Sequence, residues 1–281
     1  MIFIKKYMKI ALVNLSKFEE LSKVKKFKKD YNFLIKNNID FVDYCLNYSK
    51  PKDLLKGFHN ALRNPEIDLI WFARGGDKIM RFFDKIDWGL VKKANKKYLG
   101  FSDPTNFFFK AIELGQTCYY GINLRRTGEH FYSKRFTEKE RKALLGFLKD
   151  GKEVNYSHKD LFKEVDGLKN EKIIGGHLLI DTFMIQQMKI DLSKYFLLVE
   201  YHLTSSDTLG ELEFFIDQLK IVMKNNLPKG FIIGWSQVYN KNGKMLKQGI
   251  VNKCFVENLK EYNLPIIYID HIKSPIKLSL K

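Results

Sequence analysis

Cysteine is scarce in this chain: Cys45, Cys118 and Cys254 are the only three in 281 residues, far apart and with no C-x-x-C pair. That excludes a disulfide framework and a structural zinc site of ordinary spacing, and it reads as a reducing compartment, the cytoplasm. Long apolar runs are missing too. No stretch approaches the roughly 18 apolar residues of a membrane span, and Lys9 interrupts the N-terminal MIFIKKYMKIALVNLS where a signal-peptide core would lie. Met8 opens a strand-like run, so residues 1–7 read as a leader outside the fold. His59, His130, His158 and His202 show no pairwise spacing that suggests a metal site, and no metal or other cofactor is expected. Acidic residues are outnumbered, 32 against 49 Lys and Arg, for a net charge of +17. Such a field attracts anionic partners without choosing among them. Because the basic residues are scattered instead of concentrated on one face among aromatics, nucleic acid is not the expected partner.

What is present is core material. Hydrophobic residues make up 45% of the chain and aromatics 14%, which is the profile of a globular protein. Short β-rich runs alternate with helical patterns: strands over Ile10–Leu15, Ile39–Tyr44, Ile67–Phe72 and Lys97–Phe101, and helices over Phe18–Asn37, Lys52–Arg63, Met80–Ala94 (with breaks) and Pro104–Leu114. That order predicts a parallel sheet covered by helices, with functional residues at the carboxyl ends of strands. Residues 124–170, polar and lysine-rich with one helix over Glu138–Lys149, read as a linker. A second α/β series follows: helices over Leu178–Lys189, Gly210–Asn225 and Val251–Glu261, and strands over Tyr195–Tyr201, Gly230–Val238 and Pro265–Ile269. The expected fold class is therefore α/β, with an N-terminal parallel domain over 1–123 and a second, smaller α/β domain over 171–281.

Two stretches carry chemistry. In YLGFSDPT, Tyr98–Thr105, a serine directly follows a buried strand and precedes a helix whose first position suits Pro104. A hydroxyl there projects from a strand-to-helix elbow beside free helix N–H groups, although a plain N-cap explains the same residues. In WFARGGDKIMR, Trp71–Arg81, a strand runs into Gly75–Gly76, where backbone can approach a ligand; a tight turn is the simpler reading.

Taken together, ARGGDKIMRFFDKIDWGLVKKANKKYLGFSDPT closely resembles the LD-carboxypeptidase family, which includes microcin-immunity peptidases and has the approximate pattern RGGYGSxRLLxxLDWxLIxxxPKxxxGYSDxT. HNALRNPEIDLIWFARGG, YYGINL, IIGGHLLID, YFLLVE and PIIYIDH resemble further segments of the family, so the likeness spans nearly the whole chain. It implies a Ser–Glu–His triad at Ser102, Glu200 and His271, separated by 98 and 71 residues. It also implies an oxyanion hole from the N–H of Asp103 and from the Gly75–Gly76 turn, an active site in a cleft between two domains, and a homodimer. Arg81 matches the family's arginine after the glycine turn, as a substrate clamp or, by preference, a scaffold.

By the same resemblance the chain is a cytoplasmic serine peptidase of peptidoglycan recycling that releases terminal D-alanine from murein tetrapeptides. The alternatives are a microcin-immunity-type peptidase cleaving a peptide–nucleotide amide, and a non-catalytic binder of anionic polymers. Departures cluster near the implied site. Asp77–Lys78 replace the family's Tyr-Gly, Tyr201 its Asp after the Glu, Asp270 its Gly before the His, and His177 its Asn in G-G-N-L. His202, two residues beyond Glu200, is a competing base only if the strand continues to it.

Overall fold

The structure is a computed structural model that describes residues 7–16, 28–44, 50–153, 157–202 and 208–279. It divides into two compact units, Met1–Asn155 with Ile272–Lys277, and Tyr156–His271 with Leu278–Lys281.

The first unit is built on a six-stranded sheet, which the chain's last strand also joins. Its strands are β1 (Lys9–Val13), β2 (Asp40–Asp43), β3 (Leu69–Phe72), β4 (Lys97–Gly100), β5 (Thr117–Tyr120) and β11 (Ile276–Leu278), in the spatial order β11-β5-β4-β3-β1-β2. β1 to β5 pair in parallel with one another. β3 is buried at all four residues, as strands covered by helices on both faces must be. Helices α1 (Lys28–Lys36), α2 (Pro51–Arg63), α3 (Trp88–Ala94) and α4 (Thr105–Glu113) supply the crossovers. The expected helix over Phe18–Asn37 is seen only in its C-terminal part; residues 18–27 lie outside the described residues, as does Cys45.

Aromatic packing fixes α4 in place. Phe107 stacks on Trp88 at 5.4 Å and meets Phe58, Phe72 and Tyr98 at 5.7, 5.2 and 4.9 Å. Each such pair contributes about 0.5–1.5 kcal/mol beyond simple burial. The start of α4, which follows Ser102, is therefore held from one whole face.

The second unit has a five-stranded sheet, β6-β10-β9-β8-β7, formed by β6 (Lys159–Phe162), β7 (Ile173–His177), β8 (Phe196–Glu200), β9 (Gly230–Ile233) and β10 (Ile266–Tyr268). β7 to β10 run in parallel and β6 is antiparallel at the edge. Helices α7 (Leu178–Met188), α8 (Leu209–Met223) and α9 (Gln248–Leu259) connect them.

The stretch 124–170 is structured. It holds α5 (Leu124–His130), α6 (Glu138–Asp150) and β6. Thr137 and Glu140 form a capping box that starts α6, and Gly151, at φ 65°, ends it. Both helices fall within the first unit and β6 within the second, so the passage between units lies near residue 155. The first unit also recovers residues 272–277 at the chain's end, beyond the last β-strand of the second sheet.

Candidate active site

In the first unit β3 and β4 are adjacent and parallel, so the turns after them meet at one sheet edge. Ser102 follows β4 by two residues and sits at φ 66°, in the left-handed region that an L-serine occupies only at a cost of about 1–3 kcal/mol. The surroundings enforce that conformation. Its N–H donates to the Tyr120 hydroxyl at 3.0 Å, and its carbonyl accepts from Thr105 N at 2.8 Å and Thr105 Oγ1 at 2.5 Å. Among the described residues of the first unit, none hydrogen-bonds to the Ser102 Oγ.

Gly75 lies directly against this serine. A Cβ at position 75 would stand 3.1 Å from both the Ser102 Cβ and the Phe101 carbonyl, and 3.5 Å from Ser102 Oγ. At Gly76 a Cβ would fall 2.0 Å from the Ser16 carbonyl oxygen, so only glycine lets the turn press onto the exit of β1. The N–H groups of Gly75, Gly76 and Asp103 donate to no acceptor among the described residues. The Asp103 side chain is enclosed: Oδ2 accepts from Lys78 N at 3.1 Å and Ile79 N at 3.0 Å, and Oδ1 accepts from Asn106 Nδ2 at 3.2 Å. Burial pushes its carboxyl up to about 6, with the Ile79, Lys78 and Asn106 hydrogen bonds holding the rise in check.

In the second unit the parallel register sets His177 beside Glu200, at the ends of β7 and β8. Glu200 and His271 are both fully buried, against the ordinary expectation of a solvated boundary glutamate and a surface histidine near the C-terminus. They flank Gly234, the first residue after β9. A Cβ there would lie 2.8 Å from the Glu200 Cβ and 2.8 Å from His271 Nδ1. The Trp235 N–H donates to His271 Nδ1 at 3.2 Å. Ser236 ties the same corner together, accepting from Tyr201 N at 2.9 Å and donating to the Gly234 carbonyl at 3.2 Å.

A second carboxyl sits nearby. Asp181, on the first turn of α7, is fully buried and accepts from Gly176 N at 3.0 Å. Burial drives its pKa well up, the Gly176 bond opposes the rise, and the Glu200 charge adds to it. Burial and the neighbouring Glu200 charge both disfavour the ionised form of Asp181.

Residues 10–121 match the family model described as the LD-carboxypeptidase N-terminal domain. The fold extends that likeness to the rest of the chain. Microcin C7 self immunity protein MccF in complex with aspartyl sulfamoyl adenosine superposes with a TM-score of 0.73 at 16% identity, covering 97% of this chain and 91% of that one. A muramoyltetrapeptide carboxypeptidase from Oxalobacter formigenes gives 0.69 at 16% identity over 96% and 92% of the two chains. An MccF-like protein from Streptococcus pneumoniae, in complex with AMP, gives 0.70 at 18% over 97% and 94%. At these identities the likeness is one of fold. No curated protein sequence matches the chain.

Against the LD-carboxypeptidase pattern, the departures fall into distinct surroundings. Asp77 is exposed and its carboxylate pairs with the Lys78 ammonium. Tyr201 is fully buried, its ring 5.6 Å from that of Phe215 and 6.2 Å from that of His177. His177 is buried and its Nε2 lies 3.0 Å from the His202 carbonyl oxygen. β8 ends at Glu200, and His202 forms an isolated β-bridge with Gln237 beyond it.

Arg81 lies exposed on a 3-10 turn, Ile79–Lys85. Its guanidinium makes no hydrogen bond or ion pair among the described residues, so no carbonyl is pinned by it. Residues at these two sites that were not singled out from sequence include Tyr120, Asn106, Gly234, Ser236 and Asp181. Only Gly234 carried a usable signal, a glycine closing the apolar run GFII.

Proposed function

We propose that the chain is a serine-type peptidase acting as an LD-carboxypeptidase, with Ser102 as nucleophile, His271 as general base and Glu200 as its orienting carboxylate. The observation that carries this reading is Ser102 itself, in a strand–turn–helix elbow at φ 66° beside the unspent N–H groups of Gly75, Gly76 and Asp103. Attack of Ser102 Oγ on the scissile carbonyl sends its proton to His271 Nε2. The resulting oxyanion is received by those backbone donors. His271 then returns the proton to the leaving amine, and water cleaves the acyl-enzyme by the same route in reverse. The relay requires the imidazole proton on Nδ1, directed at Glu200.

The substrate we assign is a murein tetrapeptide losing its terminal D-alanine, an anionic peptide that a surface of net charge +17 would help collect. The fold neighbours support the carboxypeptidase reading through the muramoyltetrapeptide enzyme. They support an immunity-type reading through the proteins holding aspartyl sulfamoyl adenosine or AMP. Both readings use the same triad. The protein acts, on this reading, in the cytoplasm as a homodimer. Cys118 and Cys254 are free and buried, and no helix among the described residues is long and apolar enough to cross a membrane.

Incubation with murein tetrapeptide and with a peptidyl-adenylate analogue separates the readings by whether D-alanine or the nucleotide product is released. Ser102→Ala, Glu200→Ala and His271→Ala should each lower turnover by at least about a thousandfold, with losses that do not add in combination. Near-wild-type turnover in folded Ser102→Ala would remove the nucleophile assignment.

A further inference from the structure

The two proposed sources of oxyanion donors come from separate stretches of chain, the turn at Gly75–Gly76 and the elbow at Ser102–Asp103. Their relative position decides whether both can reach one oxygen. One side chain spans them. Asp103, only 3% exposed, directs Oδ2 at Lys78 N (3.1 Å) and Ile79 N (3.0 Å), immediately after the glycine turn. Its Oδ1 is held by Asn106 Nδ2 at 3.2 Å, and the same amide nitrogen donates to the Asp103 carbonyl at 3.1 Å, which fixes the side chain relative to its own backbone. The far side of the turn is seated on β1's exit, where Asp77 N donates to the Ser16 carbonyl at 3.1 Å. The glycine turn is thus fastened at two points, and one of them is the residue whose N–H follows the nucleophile.

We propose that the Asp103 carboxylate is a positioning residue: it clamps the glycine turn to the nucleophile elbow so that the N–H groups of Gly75 or Gly76 and of Asp103 converge on the same oxyanion. This rests on Ser102 being the nucleophile. The carboxylate touches no substrate; it acts through the two backbone segments that do. Two acceptor bonds from one oxygen to consecutive N–H groups resist both sliding and rotation of the turn, which a single bond would not. A carboxamide can accept the same pair, whereas a hydroxymethyl group cannot reach them and an alkyl group cannot accept at all.

The test uses the full chain with Asp103→Asn, Asp103→Ser and Asp103→Leu, and with Ser102→Ala as reference. Three quantities are measured: amide exchange at Lys78 and Ile79, the rate of Ser102 labelling by a fluorophosphonate, whose phosphoryl oxygen occupies the oxyanion position, and kcat and KM on murein tetrapeptide. In the wild type both amides should exchange slowly. Asp103→Leu and Asp103→Ser should speed that exchange at least about tenfold. They should also lower labelling and kcat about a hundredfold, the order seen for losing one oxyanion donor, with KM within about twofold. Asp103→Asn should recover most of the loss. A residue with only a bulk structural role would lower melting temperature and leave labelling per folded molecule unchanged. Asp103→Ser adds no bulk, so it carries the test if Asp103→Leu does not fold. Wild-type labelling in folded Asp103→Ser, with Ser102→Ala unlabelled, overturns the clamp and leaves the nucleophile standing. Labelling that persists in Ser102→Ala overturns both.

Discussion

Gly234→Ala is the sharpest probe of the Glu200–His271 corner, because it adds one methyl group where two candidate catalytic side chains meet. The new Cβ would lie 2.8 Å from the Glu200 Cβ on one side and 2.8 Å from His271 Nδ1 on the other, with His271 Cε1 at 3.1 Å. Ordinary contact begins near 3.5 Å, so each neighbour must give by about 0.7 Å. Moving the methyl away from one drives it toward the other. Both neighbours are fully buried, which leaves little room to yield. Overpacking of this kind costs about 1–3 kcal/mol, and each kcal/mol lowers the melting temperature by about 2–4 °C in a chain of this size. Retreat of the imidazole also lengthens the Trp235 N–H bond to Nδ1, already 3.2 Å. Displacements near 1 Å at a reacting group cost about a hundredfold in rate. The expected result is a modest fall in melting temperature with a loss of one to two orders of magnitude in kcat. Gly249→Ala, which meets nothing within 4 Å on α9, is the control and should be neutral or slightly stabilising. A Gly234→Ala protein with wild-type melting temperature and kcat would refute the reasoning.

Gly76→Ala places a Cβ 2.0 Å from the Ser16 carbonyl, a backbone atom that cannot swing aside, so it should destabilise the first unit by about 3 kcal/mol or more and abolish activity; thermal melts check this. Asp103 and Asp181 both have raised pKa values, so the folded state holds their protons more tightly than the unfolded state does. Their stabilising contribution is present at low pH and is lost as pH rises above about 4; for Asp103 the loss is complete just above 6 and amounts to about 3 kcal/mol. Denaturant titrations across pH should therefore show a slope that Asp103→Asn and Asp181→Asn each flatten, and an unchanged slope in both would contradict the burial argument. Arg81→Lys should leave the melting temperature unchanged, since the guanidinium has no partner among the described residues, and should raise KM if the side chain meets a substrate carboxylate. A large fall in melting temperature would restore the scaffold role.

The α/β character and most parallel strands were legible in the chain because buried strands need unbroken apolar runs, and LIWF, FLLVE and GFII supply them. Ser102 and the glycine turn were legible for a local reason, since an elbow and a close backbone approach leave their residue types in sequence. Other elements left no such mark. β6, KDLF, is a polar edge strand whose exposure removes the apolar signal. β7, IIGGH, reads as a turn, yet Gly175 at φ 109° lies where a Cβ would meet the Leu198 carbonyl at 2.2 Å, so its glycines serve packing against β8. The stretch 124–170 looked like a linker because its polar faces dominate, and only docking of its helices' few buried residues reveals their place. The sequence by itself determined that the apolar runs LIWF, FLLVE and GFII become buried strands and which residues have the chemistry of a hydrolytic site. The tertiary structure alone decided that Glu200 and His271 are enclosed on either side of Gly234, that Asp181 is buried near Glu200, and that Asp103 faces Lys78 and Ile79. Burial and convergence depend on which distant strands pair and where their ends fall, and no local pattern encodes that.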